Sequence, residues 1–260
     1  MIEHPVKNGI KKIECENWEE FISFALKKKE AFQFSWRGQS DASWKLKSSL
    51  DRELDKMFGN DEPQIARENA ATEHLNRFKY LCRNRISYDQ AYENDDDEMW
   101  AIAQHYGLKT PLLDWTYSPF VALFFAIHNH LNENITCAVW GIGPLTTPNK
   151  RASKNGIAQL KRIHPKQKIN ERLSSQNGLF TRLPLGTTVE NWVKDISTYC
   201  KNNIVYLYQI CIPMHGDNVK NCLTMLNRMN INYYTLFPDF EGVANFGNMA
   251  LRIPRYHRFW

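Results

Sequence analysis

The chain has 260 residues, 43% of them hydrophobic and 13% aromatic, with 8 Trp and a formal charge of +5. This composition excludes a disordered polar chain, because a domain of this size buries roughly 70–75% of its unfolded surface and the apolar side chains to do so are present. The longest apolar run, Phe120 to Ile127, falls far short of the ~20 residues of a membrane span, so no membrane partner is expected.

In chain order, Asn17 is placed to cap a helix over residues 17–29, with Trp18, Phe21, Ile22 and Ala25 at helical spacing. Phe32-Gln33-Phe34-Ser35-Trp36-Arg37-Gly38 alternates aromatic and polar residues as a half-buried strand does. Gly38 permits a turn, which would leave Arg37 at the strand's end. A loop holding Trp44, Leu46 and Leu50 follows, and then one long amphipathic helix from Pro63 to about Arg85. Asp95-Asp96-Asp97-Glu98 precedes Met99, Trp100, Ile102 and Ala103. Carboxylates at a helix start interact favourably with its dipole, so the run reads as a cap rather than a metal site.

The second half supplies strands at Cys137 to Ile142 and Ile204 to Ile212, rich in β-branched and aromatic residues. Thr188 to Ser197 and Asp217 to Met229 carry helical spacing, and Tyr233 to Phe237 reads as a last strand before Pro238. Helices and strands mix without strict alternation, which predicts an α+β fold. No Gly/Ser/Pro-rich linker divides the chain, so a single domain over 1–260 is expected, with insertions. Its motif-rich part is 10–130 and its strand-rich part 131–260. The first residues lack an apolar run followed by small residues, so no secretory signal and a cytoplasmic location are expected. Cys15, Cys82, Cys137, Cys200, Cys211 and Cys222 form no C-x-x-C pair. They read as reduced thiols, and no structural metal is expected.

The densest chemistry lies in Gln104-His105-Tyr106-Gly107, followed by Leu112-Leu113-Asp114-Trp115-Thr116-Tyr117-Ser118-Pro119. Ser118 is a preferred N-cap and Pro119 suits the first helical position, so the apolar Phe120 to Ile127 forms a buried central helix. Asp114, between Leu113 and that helix, should be partly buried and needs a partner, for which Arg37 is the candidate. The structural alternative is a carboxylate bonded to loop amides, with His105 and Tyr106 as packing residues.

These residues resemble the FRG domain, a family named for a Phe/Tyr-Arg-Gly motif. The resemblance rests on Ser35-Trp36-Arg37-Gly38-Gln39-Ser40-Asp41-Ala42-Ser43-Trp44, on Gln104-His105-Tyr106-Gly107, and on Leu112 to Thr116 with Ser118-Pro119. Trp36 stands where the family has Phe or Tyr, and looser features continue at 172–181 and 236–242. A second resemblance, in the order aromatic-Arg-Gly, Thr-x-Ser before a helix, and a late acid, is to mono-ADP-ribosyltransferases of the Arg, Ser-Thr-Ser, Glu type. Asp114 to Ser118 is not Ser-Thr-Ser, and Pro238-Asp239-Phe240-Glu241 is not Glu-x-Glu.

That second resemblance implies a mixed, mostly antiparallel split sheet flanked by helices, and NAD as substrate. It makes Arg37 the phosphate-binding arginine, with Gly38 and Gln39 beside it, and Thr116 and Ser118 the site hydroxyls. Glu241 or Asp239 becomes the catalytic acid, while His105, Tyr106 and Trp115 are ring-stacking candidates and Asp114 an organising group. It further implies transfer of ADP-ribose to an unknown macromolecular acceptor, or hydrolysis of NAD, as in toxins and phage-defence effectors. A carboxylate aimed at the ribose would stabilise the charge that develops as the nicotinamide bond breaks.

Two other readings stand beside it. One is a ligand- or nucleic-acid-binding module using the basic segment Lys150 to Arg172, which holds Arg151, Lys154, Lys161, Arg162, Lys166 and Lys168. A solvated basic face is the plainer explanation of that segment. The other is a hydrolase with Asp114 and His105 as base and acid.

Overall fold

A computed structural model describes residues 1–28, 33–59, 63–83, 95–165, 171–199, 204–254 and 256. One eight-stranded sheet runs through them in the order β1-β2-β8-β5-β3-β4-β7-β6. Its strands are β1 Ile2–Glu3, β2 Ile10–Glu14, β3 Ser35–Gln39, β4 Leu112–Thr116, β5 Ile135–Ile142, β6 Lys161–Ile163, β7 Gly178–Arg182 and β8 Leu207–Met214. Only β2 and β8 pair in parallel; the other neighbours are antiparallel. The α+β class and the mostly antiparallel sheet are as expected, and strands from both halves of the chain share the one sheet.

Strand periodicity sorts the two faces. In β5, Cys137 and Val139 join one apolar cluster, with helices α1 (Trp18–Lys27), α5 (Pro119–Ile127), α9 (Asn218–Arg228) and α11 (Phe240–Arg252). Ala138, Trp140 and Ile142 join another, with α6 (Thr146–Lys154) and α8 (Val189–Ser197). A third cluster packs α2 (Ser49–Phe58), α3 (Gln64–Cys82) and α4 (Asp96–His105) against Leu112 and Phe180. No described helix is long and apolar enough to cross a membrane.

The joint between β3 and β4 is the feature that makes a site. Those strands meet at a single pair, Trp36 with Thr116. Beyond it, Arg37, Gly38 and Gln39 pair only with β5, while Asp114 and its neighbours pair with β7. The sheet is continuous but parts here, between a strand 5 residues long and another of 5. Helix α5 lies directly on β3: a Cβ on Gly38 would sit 1.9 Å from the Ala122 carbonyl oxygen. The Trp36 ring fills the space that a Cβ on Gly141 would occupy, at 2.6 Å.

The predicted helix caps hold. Asn17 accepts from the Glu20 amide (3.0 Å), Ser118 from Val121 (3.3 Å), and Asp95 from Asp97 and Glu98 (3.1 and 3.2 Å). The helix expected from Pro63 is α3; Arg85 lies outside the described residues, as do Phe32 and Cys200. Cys15, Cys137, Cys211 and Cys222 are buried free thiols, and burial pushes Cys15 and Cys137 up to about 12, where they are inert.

The structure departs from the expected elements in four places. Tyr233 to Phe237 is not a strand: Tyr233–Leu236 is a short helix, α10, because Asn232 and Thr235 form a capping box and Tyr233 and Leu236 bury together at helical spacing. Leu50 is in helix α2, not a loop; Ser48 caps it by accepting from the Asp51 amide. Arg37 is the third of the five residues of β3 rather than its end, since Gly38 continues the strand beneath α5. Asp114 is not buried; its side chain is 62% exposed, because the parting of β3 from β4 opens that position to solvent.

His128, just after α5, stacks on Phe124 (ring centroids 5.1 Å apart) and shares a 2.5 Å hydrogen bond with the Tyr233 hydroxyl. Loss of water and the nearby His130 push its pKa down from 6.5 to about 4. The unfolded chain therefore takes up a proton below about pH 6.5 that the native protein refuses until about pH 4. Stability should fall across that window, by up to ~3 kcal/mol at 1.36 kcal/mol per pKa unit. Urea unfolding at neutral and acid pH checks this: His128→Phe should flatten the fall, and an unchanged slope would place its origin elsewhere.

Candidate functional site

A cleft of about 370 Å³ opens where β3 and β4 diverge. Arg37 spans the gap: its Nη1 donates to the Asp114 carbonyl oxygen (2.8 Å) and, at 3.3 Å, to the Asp114 carboxylate. The guanidinium takes an acceptor that an adjacent strand would otherwise have taken. The predicted Arg37–Asp114 pair thus exists, at the surface of a cleft rather than inside a core. The Arg37 Nε atom is shielded from water and has no acceptor among the described residues, an unmet donor of the kind that costs about 1–3 kcal/mol.

Asp114 is held from the other side by Gln104, whose Nε2 donates to it at 2.6 Å, while the Thr110 hydroxyl donates to Gln104 Oε1. This chain of bonds runs Thr110, Gln104, Asp114, Arg37, and it fixes both the carboxylate and the guanidinium. Gln104 comes from the last turn of α4, and His105 beside it also lines the cleft. Burial and then the Arg172 charge lower the pKa of His105, partly opposed by Asp239. No hydrogen bond joins His105 to Asp114 among the described residues. Tyr106, the C-cap of α4, is 69% exposed and lines no described cavity.

Thr116 and Trp115 line the cleft, but their polar atoms are engaged. The Thr116 hydroxyl donates to the Gln176 carbonyl (2.7 Å) and accepts from the Ser118 amide (3.1 Å), and Trp115 Nε1 donates to the Thr181 hydroxyl (2.8 Å). Ser118 starts α5 and does not line the cleft.

The opposite wall is formed by Arg172, Leu173 and Gln176, from α7 (Glu171–Ser175) and the turn after it, with Phe237. Arg172 lies over the Phe237 ring (5.2 Å) and donates to both acids that the sequence suggests: Asp239 through Nε (2.7 Å) and Glu241 through Nη2 (2.6 Å). Neither acid lines the cleft; both are joined to it through Arg172. Asp239 is doubly committed, because its other oxygen caps α11 by accepting from the Gly242 amide (3.0 Å). Partial burial raises the Asp239 pKa, but Arg172 and that amide outweigh it and hold the carboxyl below the usual range. Glu241, in the first turn of α11, pairs with Arg172 and is 64% exposed.

Sequence reasoning missed Gln104, Gln176 and Phe237 as wall residues and placed Arg172 in a basic segment. Among the described residues, three cations of that segment are engaged separately. Arg151 donates to the Tyr206 hydroxyl (2.5 Å), Lys161 pairs with Asp97, and Arg172 turns into the cleft, while Lys166 and Lys168 lie outside the described residues.

An α+β domain whose sheet parts beside an aromatic-Arg-Gly strand, with the arginine braced across the gap, is the class of protein these features define. Residues 32–135 match the FRG domain family, which bears out the resemblance carried by Trp36-Arg37-Gly38. No curated protein and no solved structure gives a significant match. The matched segment contains β3, α4, β4 and α5, whereas Arg172, Phe237, Asp239 and Glu241 lie beyond it. The three motif residues play separate parts, since Trp36 is fully buried under Gly141, Arg37 enters the cleft, and Gly38 admits α5.

Proposed function

We propose that the cleft between β3 and β4 binds a nicotinamide dinucleotide and cleaves its nicotinamide–ribose bond, passing ADP-ribose to water or to a macromolecular acceptor. The observation that carries this reading is Arg37, a guanidinium fixed by Asp114 in the lining of a cleft whose opposite wall holds Arg172 with two carboxylates bonded to it. Arg37 would hold the pyrophosphate, for which a planar fork is suited. Gly38, Trp115 and Thr116 shape the floor, and Gln39, bonded to Trp140 Nε1 (2.8 Å), holds the strand beside it.

Of the two acids, Glu241 suits the transition state better, because Asp239 is spent on the α11 cap. Glu241 reaches the ribose by leaving Arg172, and an exposed pair of that kind is worth only about 0–1 kcal/mol. The carboxylate then faces the positive charge developing on the sugar. Chemistry of this type drains a nucleotide pool or marks a macromolecule, as toxins and defence effectors do.

The test is nicotinamide release from NAD and NADP by purified protein, with and without cell extract as a source of acceptor. Wild type should turn over, and Glu241→Gln should lose about 10²-fold or more at an unchanged melting temperature, the scale of a removed transition-state contact. No release from either dinucleotide under either condition would overturn the proposal.

A further inference from the structure

A second lobe of about 440 Å³ shares Arg37, Gly38 and Phe125 with the first and continues toward the loop before α2. Its charged lining is cationic throughout: Arg37, Lys45, Lys47 and Arg52, with no carboxylate among the lining residues. Lys47 is balanced by Asp55, and Arg52 donates to the Lys47 carbonyl (2.6 Å), but neither Arg52 nor Lys45 bonds a carboxylate among the described residues. Burial and then the neighbouring Arg37 charge lower the Arg52 pKa, partly opposed by Asp51. Trp44, 55% exposed, gives the same lobe a free aromatic face. The first lobe differs in having a carboxylate, Asp114, in its wall, and its second cation, Arg172, is paired with Asp239 and Glu241.

This asymmetry gives the cleft a direction. The nicotinamide end, which becomes cationic at the ribose, belongs in the lobe that holds Asp114 and the acids paired with Arg172, and the anionic end belongs among Lys45, Lys47 and Arg52. From it we infer that the second lobe binds a phosphate on the adenosine ribose, so that the 2′-phosphorylated dinucleotide, NADP, is preferred over NAD. This rests on the reading of the cleft as a dinucleotide site. Arg37, common to both lobes, meets the pyrophosphate in the middle; the adenine lies against Trp44; the 2′-phosphate lies between Lys45 and Arg52. A phosphomonoester carries nearly two charges at pH 7 and three acceptor oxygens, which satisfy a guanidinium and an ammonium together.

The experiment uses ligands that cannot react. ADP-ribose and 2′-phospho-ADP-ribose are titrated into the intact protein by calorimetry at one fixed ionic strength, because such contacts are screened by salt. Wild type should bind the 2′-phosphorylated ligand about 10- to 100-fold more tightly. The Lys45→Ala/Arg52→Ala double variant should lose that preference while binding ADP-ribose within about threefold of wild type. Equal affinities in wild type, or a preference that survives in the double variant, would overturn the inference while leaving the cleft as an NAD site. Binding of neither ligand would overturn both readings. Selective binding without nicotinamide release would uphold the lobe and remove the cleavage.

Discussion

Gly38→Ala is expected to lower the stability of the whole protein by about 3 kcal/mol or more and to abolish any activity of the cleft with it. The added methyl would lie 1.9 Å from the Ala122 carbonyl oxygen and 2.7 Å from the Ala126 amide nitrogen. Both are backbone atoms of a helix whose buried residues Val121 to Phe124, Ala126 and Ile127 anchor the main apolar cluster, so no side chain can swing away. The helix must lift off β3, and overpacking against backbone falls at or beyond the upper end of the usual 1–3 kcal/mol. For a chain of this length that is roughly 5–10 °C in melting temperature. Ala122 and Phe125 line the cleft, so the same shift deforms it. A Gly38→Ala protein melting within about a degree of wild type would show that α5 does not sit where the strand requires glycine.

Arg37→Ala should behave in the opposite way, losing nicotinamide release by about 10²- to 10³-fold while costing only about 1–2 kcal/mol of stability. What folding loses is one charge-assisted bond to the Asp114 carbonyl and a long pair to a carboxylate that is 62% exposed, and Gln104 still holds that carboxylate at 2.6 Å. What the proposed reaction would lose is the fixed cation meant to hold the pyrophosphate, worth about 3–4 kcal/mol when preorganised. Arg37→Lys should recover little, because an ammonium cannot both brace Asp114 and present a second donor edge. Steady-state kinetics beside thermal melts separate the cases. Release per folded molecule unchanged in Arg37→Ala, with a large drop in melting temperature, would make Arg37 a brace between strands and nothing more.

What could be read from the residues alone was whatever depends on spacing of a few positions: the Asn17, Asp95 and Ser118 caps, the apolar α5, the α+β mixture. The Arg37–Asp114 pair was also legible, from the need of an acid beside Leu113 for a partner, although the two lie 77 residues apart. The openness of that pair was not legible, because it follows from β3 and β4 meeting at one position only, a property of the sheet and not of either strand. Strand β4 itself escaped notice because Leu112, Leu113, Trp115 and Thr116 are all buried, which hides the two-residue period. Arg172 was read as one charge among eight in a basic stretch; only the fold carries it to Phe237, Asp239 and Glu241, more than 60 residues on. Tyr233 and Tyr234 suggested a strand through their propensity, and the Asn232 capping box decided otherwise.

On the proposed reading a dinucleotide sits in the gap between β3 and β4. A crystal structure with a dinucleotide analogue whose nicotinamide linkage cannot be cleaved tests it most directly. The pyrophosphate oxygens should lie about 2.7–2.9 Å from the Arg37 guanidinium, as in charge-assisted pairs, with the nicotinamide ribose on the Glu241 side and the adenosine toward Trp44. The analogue bound away from Arg37, or absent from the cleft at millimolar concentration, would contradict it.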